Sequence, residues 1–273
     1  MLTPLTNEPF GAAERQMIDE LVRAGQVAAV WVRDLPAVPD GDPDTGQGDD
    51  PFAALAHLLG RGARPALLGT ASVIVGSRHP LVIARAAVGA QHLSGGRFVL
   101  GLGSGGKPAM AAAMGLTDRP KELLATDWSR IRAALRGDAG EGMRFLLPPG
   151  YVPPPMYLAS ANPASWEAIG GQAEGWLAFA ADDDEMRSQH RRIQSLATGD
   201  VAVAVRLDVQ LVEGRERSSP TFTRGRATCT RRQLASLLAR WRESPIDHVM
   251  IGVRGEAQRR DLSTVLECWH GRT

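Results

Sequence analysis

Cysteine is scarce in this chain: only Cys229 and Cys268 occur in 273 residues. They form no CxxC pair and no metal-ligand spacing, so nothing in the sequence supports a thiol redox motif or a zinc site, and no metal is expected. Two buried or free thiols fit a reducing compartment, which makes the cytoplasm the expected location. An excess of one charge is also missing, since 31 basic residues face 30 acidic ones for a net charge of +1. That balance removes the electrostatic case for nucleic acid or an anionic membrane as partner. No apolar run approaches the roughly 18–20 residues of a membrane helix. The opening Met1-Leu2-Thr3-Pro4 has neither the basic start nor the apolar stretch of a signal peptide. Neither the GxSxG context of a serine hydrolase nor HExxH occurs. The acidic stretch Asp40–Gly46 imitates a calcium loop but fails at Thr45, where glycine belongs, and at Pro51, where the closing glutamate belongs.

What is present is ordinary globular composition, 44% hydrophobic and 22% charged, in a length that suits one domain over residues 1–273. Short apolar runs alternate with helical stretches. Val27–Val32, Ala66–Val75, Arg97–Gly103, Met156–Ala159, Trp176–Ala180, Val201–Leu211 and His248–Val253 read as strands. Helices are expected at about 11–24, 52–61, 80–93, 119–136, 165–173, 182–196, 231–242 and 258–269, with Pro80 and Asp182 as start signals. Gly137–Gly150 reads as a turn-rich connector, and the prolines at 153–155 as a stiff approach to the next strand. Such alternation implies parallel βαβ units, closed as a barrel or open as a doubly wound sheet. The strand count from Val27 onward is seven, and only ten residues precede the first helix. A first strand is therefore very short or missing.

Two segments carry the chemistry. One is Leu68-Gly69-Thr70-Ala71-Ser72, followed by Gly76-Ser77-Arg78-His79-Pro80; the other is Leu93-Ser94-Gly95-Gly96-Arg97-Phe98-Val99-Leu100-Gly101-Leu102-Gly103-Ser104-Gly105. Gly101–Lys107 suggests a phosphate loop, but lacks both the GK[ST] ending and the GxGxxG register. A glycine-rich strand end such as this lets backbone come close to a planar ligand. Lys107 is equally able to attract a phosphate or to stand in solvent. Ser160-Ala161-Asn162-Pro163-Ala164-Ser165 follows a strand and opens a helix, which suits either a phosphate or a plain N-cap.

A strand ending LGTxS, a helix opened by His-Pro and then LSGGRFxLGxGxG together resemble the bacterial-luciferase-like monooxygenase superfamily. The upstream segments Val30–Asp34 and Asp50-Pro51-Phe52 are similar to its luciferase-type oxidoreductase branch. The resemblance implies a TIM-type (β/α)8 barrel with a flavin at the carboxyl ends of its strands. It implies reduced FMN acting with oxygen on a small organic substrate, or a deazaflavin coenzyme transferring hydride without oxygen. The short N-terminus, the lack of a histidine at the second strand end and Ser104 and Gly106 in place of charged residues suit a catalytically weak flavin-binding protein of the same fold. It also implies a separate flavin reductase and assembly as a homodimer or other homo-oligomer. Thr70, Ala71 and Ser72 then lie against the flavin ring, with a non-prolyl cis peptide implied at Ala71–Ser72. Gly103, Ser104 and Lys107 line the next strand end, and Ser160, Ala161, Asn162 and Ser165 form the phosphate turn. Bacterial luciferase carries a phosphate-binding arginine where Ser104 stands, so that contact is not inherited. Arg33, Asp34 and His79 are the catalytic candidates near the mouth, although His79 beside Pro80 also suits a purely structural place at the helix start. Asp40–Gly46 is expected as a solvated loop over the mouth.

Overall fold

Short apolar runs alternate with helices, several of them capped at their starts, to build the architecture. The structure is a computed structural model describing residues 2–3, 12–37, 49–62, 64–105, 108–116, 122–213, 220–223, 225–252 and 255–271. Its strands are β1 (Leu2–Thr3), β2 (Ala29–Val32), β3 (Leu67–Thr70), β4 (Val73–Ile74), β5 (Phe98–Gly103), β6 (Asp138–Gly140) and β7 (Met143–Arg144). They continue with β8 (Met156–Leu158), β9 (Gly175–Phe179), β10 (Ala202–Leu211), β11 (Thr221–Thr223), β12 (Arg226–Cys229) and β13 (His248–Gly252). The helices are α1 (Ala12–Arg23), α2 (Pro51–Gly60), α3 (Pro80–Leu93), α4 (Pro108–Ala113), α5 (Glu122–Ala134), α6 (Pro163–Ala168), α7 (Asp183–Gln194), α8 (Arg231–Arg242) and α9 (Gly255–His270).

Eight strands run parallel in the order β1-β2-β3-β5-β8-β9-β10-β13, and β13 lies against β1. This is the strand order of a TIM-type (β/α)8 barrel, with helices covering the outside. The first strand exists and is two residues long, pairing Leu2 with Trp31 and Thr3 with Val32. The stretch expected as one strand over 66–75 is broken in two. β3 pairs Leu68 with Phe98, whereas β4 pairs Val73 with Leu102, one residue out of step along β5. The Ala71–Ser72 peptide bond lies between them and is cis. The expected connector at 137–150 contains the β6–β7 hairpin, and β11–β12 extend the sheet alongside the long end of β10. The helix expected at 165–173 is shorter and starts earlier, at Pro163, because Asn162 caps it.

Strand alternation sorts the core into two layers. Val30, Val32, Leu68, Leu100, Leu102, Trp176, Val205 and Leu207 face outward and pack with Trp128, Trp166 and Trp241. The inward positions gather Trp31, Val99, Tyr157, Leu177, Ala204 and Met250. Glycines make room for the large members of this inner layer. A Cβ on Gly69 would fall 2.4 Å from the ring of Trp31, its partner across β2–β3. One on Gly175 would fall 2.5 Å from the ring of Tyr157, its partner across β8–β9. Gly101 leaves its space to Leu177 and to the Thr70 carbonyl. The inner floor is therefore closely packed at these three glycines.

Candidate active site

Site residues in such a barrel stand at the carboxyl ends of the strands, where loops replace the ladder. At the end of β3, Thr70 is fully buried, and its hydroxyl both accepts from Gly101 N and donates to Gly101 O at 2.9 Å. Thr70 thus clamps β3 to β5 and offers nothing to a ligand through its side chain. Ala71 and Ser72, past the clamp, are half-buried. Above Gly103, a Cβ would come within 2.7 Å of Ser72 Oγ and 3.1 Å of Ala159 Cβ. Ser72, Gly103 and Ala159 therefore meet at the ends of three successive strands, β3, β5 and β8. Ser104 follows, exposed. Lys107 lies outside the described residues, as does the Asp40–Gly46 loop.

Beside this group, Asp34 leaves β2 buried and accepts from Ile74 N at 3.1 Å and from Arg78 Nη2 at 3.1 Å. The same Arg78 nitrogen lies 2.8 Å from Asp50, whose other oxygen caps α2 at Phe52 N and Ala53 N. Burial pushes the Asp34 carboxyl above its ordinary range and outweighs the hydrogen bond from Ile74 and the charge of Arg78. Arg33 is buried one residue earlier and shares its strand face with Trp31, so alternation carries it toward the barrel axis. His79 is exposed and caps α3, its Nδ1 accepting from Leu81 N at 3.3 Å.

At the end of β8 the small-residue turn is internally bonded. Asn162 Oδ1 accepts from Ala164 N at 3.1 Å, and Asn162 N donates to Ser160 Oγ at 3.1 Å. Ser160 Oγ and Ser165 Oγ are 3.2 Å apart, and Trp166 Nε1 donates to the Ser160 carbonyl at 2.8 Å. Ser165 is buried, whereas Ala161 and Asn162 are exposed. The N-cap alternative describes Asn162 directly.

Across the mouth stand residues of a different kind. Arg206 and Asp208 occupy successive inward positions of β10 and are paired through Nη2–Oδ2 at 2.9 Å and Nε–Oδ1 at 3.3 Å. The Arg206 guanidinium carbon lies 5.7 Å from the ring centroid of Phe179, the last residue of β9. Among the described residues, no group of three or more His, Cys, Asp or Glu could hold a metal ion. Cys229 and Cys268 are buried, with thiols pushed upward by burial, Cys229 to about 11. No helix among the described residues is long and apolar enough to cross a membrane.

Comparison with known proteins fits this geometry. The sequence profile of the luciferase-like monooxygenases matches residues 28–260. The chain belongs to the luciferase-like monooxygenase family. It is thereby placed among oxidoreductases. Among solved structures it is similar to the EDTA monooxygenase EmoA from Chelativorans sp. BNC1, with TM-score 0.70 and 15% identity, over 94% of this chain and 85% of that one. It is also similar to the riboflavin lyase RcaE, solved with modified FMN and riboflavin, with TM-score 0.68 and 13% identity, over 94% and 84%. An F420-dependent secondary alcohol dehydrogenase aligns with TM-score 0.66 and 12% identity, over 93% and 92%. No curated protein matches the chain. These identities speak for a shared fold.

In this luciferase-like chain the structure brings Ser72, Gly103 and Ala159 together and sets Asp34 beside them through Ile74. His79 is given to a helix start and Thr70 to a strand clamp. The residues that sequence reasoning passed over are Arg206, Asp208 and Phe179. A signal was available: two charges of opposite sign, two residues apart, interrupt the apolar run Val201–Leu211 on a single face.

Proposed function

We propose that the protein is an FMN-dependent oxidoreductase, a monooxygenase using oxygen on a small organic substrate, with the flavin ring on the shelf formed by Ser72, Gly103 and Ala159. The observation that carries this reading is that shelf: at or just past the ends of three adjacent strands stand residues no larger than serine, above a floor already filled by Leu177 and Thr70. A planar ring needs such a flat approach, and backbone amides with the Ser72 hydroxyl suit the polar edge of a flavin. The residues present thus fit the ring.

Ala71 and Ser72 would line one face of the ring, with Gly103 and Ser104 beside it. Ser160, Ala161, Asn162 and Ser165 would receive the phosphate, with Lys107 as a further cation. Bound flavin supplies the redox chemistry; the chain binds it, orients it and excludes water. Asp34 holds Ile74 N and so fixes the segment that carries Ser72. With its carboxyl raised by burial, Asp34 is also the group suited to hold a proton near the mouth. Arg33 would add positive charge on the same side, and His79 would act through the loop it opens. In this proposal the chain works as one domain over 1–273, as a homo-oligomer in the cytoplasm, with reduced flavin delivered by a separate reductase.

The test is a titration of the purified protein with FMN and, separately, with the deazaflavin coenzyme, followed by cofactor fluorescence. FMN should bind in the micromolar range, and Ser72→Val should weaken it by about 5-fold, the scale of one lost hydrogen bond. Preference for the deazaflavin would transfer the proposal to hydride transfer without oxygen. Absence of binding by either coenzyme below millimolar concentration would end it.

A further inference from the structure

Among the described residues, Phe179 is placed unlike the other aromatic side chains of the inner barrel face, Trp31 and Tyr157, which are buried. It follows Gly175 and Leu177 on the inward side of β9, yet it is 59% exposed whereas Leu177, two residues below, is buried. Its ring has two close neighbours. Arg206 lies against it at 5.7 Å, itself fixed by two hydrogen bonds to Asp208. Gly225, in the left-handed region at φ +81°, passes so near that a Cβ there would be 2.8 Å from Phe179 Cδ1. An exposed aromatic ring that is nevertheless pinned gives up little conformational entropy on binding.

The strand order sets where that ring acts. β3 is third and β9 sixth among the eight parallel strands, three places apart around the circle, so Phe179 faces the mouth from a different side than Ser72. Below it the floor is Leu177, Tyr157 and Met250. A cation against one face of a phenyl ring draws on its π density, which favours an electron-rich ring on the other face.

We propose that Phe179 is the specificity-determining platform of the mouth and takes a planar, electron-rich aromatic group of the substrate, with Arg206 and Asp208 as the positioning pair that fixes the ring. This deepens the flavin reading and rests on it for the presence of a cofactor on the Ser72 side. The step is one of binding only.

The experiment uses 2-naphthol and its saturated counterpart decahydro-2-naphthol as probes, titrated calorimetrically into the full chain with and without FMN. The wild type should bind 2-naphthol about 5-fold more tightly than the saturated alcohol. Phe179→Ala should weaken 2-naphthol by about 5-fold, the range expected for one aromatic pair, and leave decahydro-2-naphthol and FMN within about 2-fold. Phe179→Trp should retain the preference. Equal affinity for the two alcohols, no binding of 2-naphthol, or a Phe179→Ala variant that loses FMN as strongly as naphthol would each overturn the proposal. The flavin-free arm separates the two readings: failure of FMN to bind removes the flavin, while the aromatic preference is still scored without it.

Discussion

On one side of the mouth, β3, β5 and β8 lead up to Ser72, Gly103 and Ala159, uncharged and no larger than serine; on the other, β9 and β10 carry Phe179, Arg206 and Asp208. The first side is shaped by backbone coming close to backbone, and its tolerances are set by atoms that cannot rotate away. The second is shaped by side chains that reach, stack and pair. One barrel therefore offers a flat surface and a projecting one across the same opening. The two should answer mutation differently.

The largest effect is expected on the flat side. Gly101→Ala would place a Cβ 2.0 Å from the Thr70 carbonyl oxygen, a backbone atom fixed by the Thr70–Gly101 clamp. Relief requires β3 and β5 to move apart, and the cost is about 3 kcal/mol or more. Chemical denaturation should show that loss, and a near-neutral result would mean that the shelf is not held by backbone contact. On the projecting side, Asp208→Asn leaves the half-buried Arg206 facing a neutral amide and should cost about 2 kcal/mol, since a charge-assisted pair away from water is weakened. Rescue by the further change Arg206→Met would sharpen the point; no rescue would show that Asp208 acts through other contacts. At the edge of the flat side, Asn162→Ala removes the cap on Ala164 N and should cost about 1 kcal/mol by the same measurement. An unchanged midpoint would leave Asn162 without its structural role.

The smallest effect lies at the far end of the barrel and serves as a reference for both sides. His248 opens β13, with Trp31 edge-on at 5.9 Å. Burial lowers its pKa from 6.5, and the neighbouring charge of Asp247 only partly opposes this. A base whose folded pKa is depressed contributes stability above pH 6.5 and loses it as pH falls from there through the folded value. His248→Gln should therefore flatten the decline in denaturation midpoint between pH 7.5 and 5, leaving flavin and naphthol titrations unchanged. A variant that keeps the wild-type slope would assign the decline to other groups.

How much of this was legible in the sequence follows from the range of each interaction. The strands after Val27 and the helix starts at Pro80 and Asp182 are written in local periodicity and capping residues, so the alternation was readable. The two-residue β1 was not, because a strand that short has no period and is defined only by its pairing to Trp31 and Val32. The split at Ala71–Ser72 was implied only by resemblance, as apolar patterning runs through it without interruption. His79 illustrates the converse: a histidine near a mouth invites a catalytic reading, yet local geometry turns its Nδ1 to Leu81 N. Arg206 and Asp208 were visible as charges, but their meaning depends on Phe179, which lies on another strand. Nothing local in the sequence explains Gly69 or Gly175, which gain their purpose only from the rings opposite.

Those last two glycines also act as alignment keys. Trp31 fits against β3 only where Gly69 stands, and its sequence neighbours Leu68 and Thr70 would each bring a side chain instead. Tyr157 is keyed to Gly175 in the same way, beside Trp176. A slip of one residue in either pairing would drive a large ring into an occupied position and turn the apolar faces over together. Two ring-and-notch pairs, on separate parts of the circle, thus proofread the register of the barrel and fix the height at which its mouth begins.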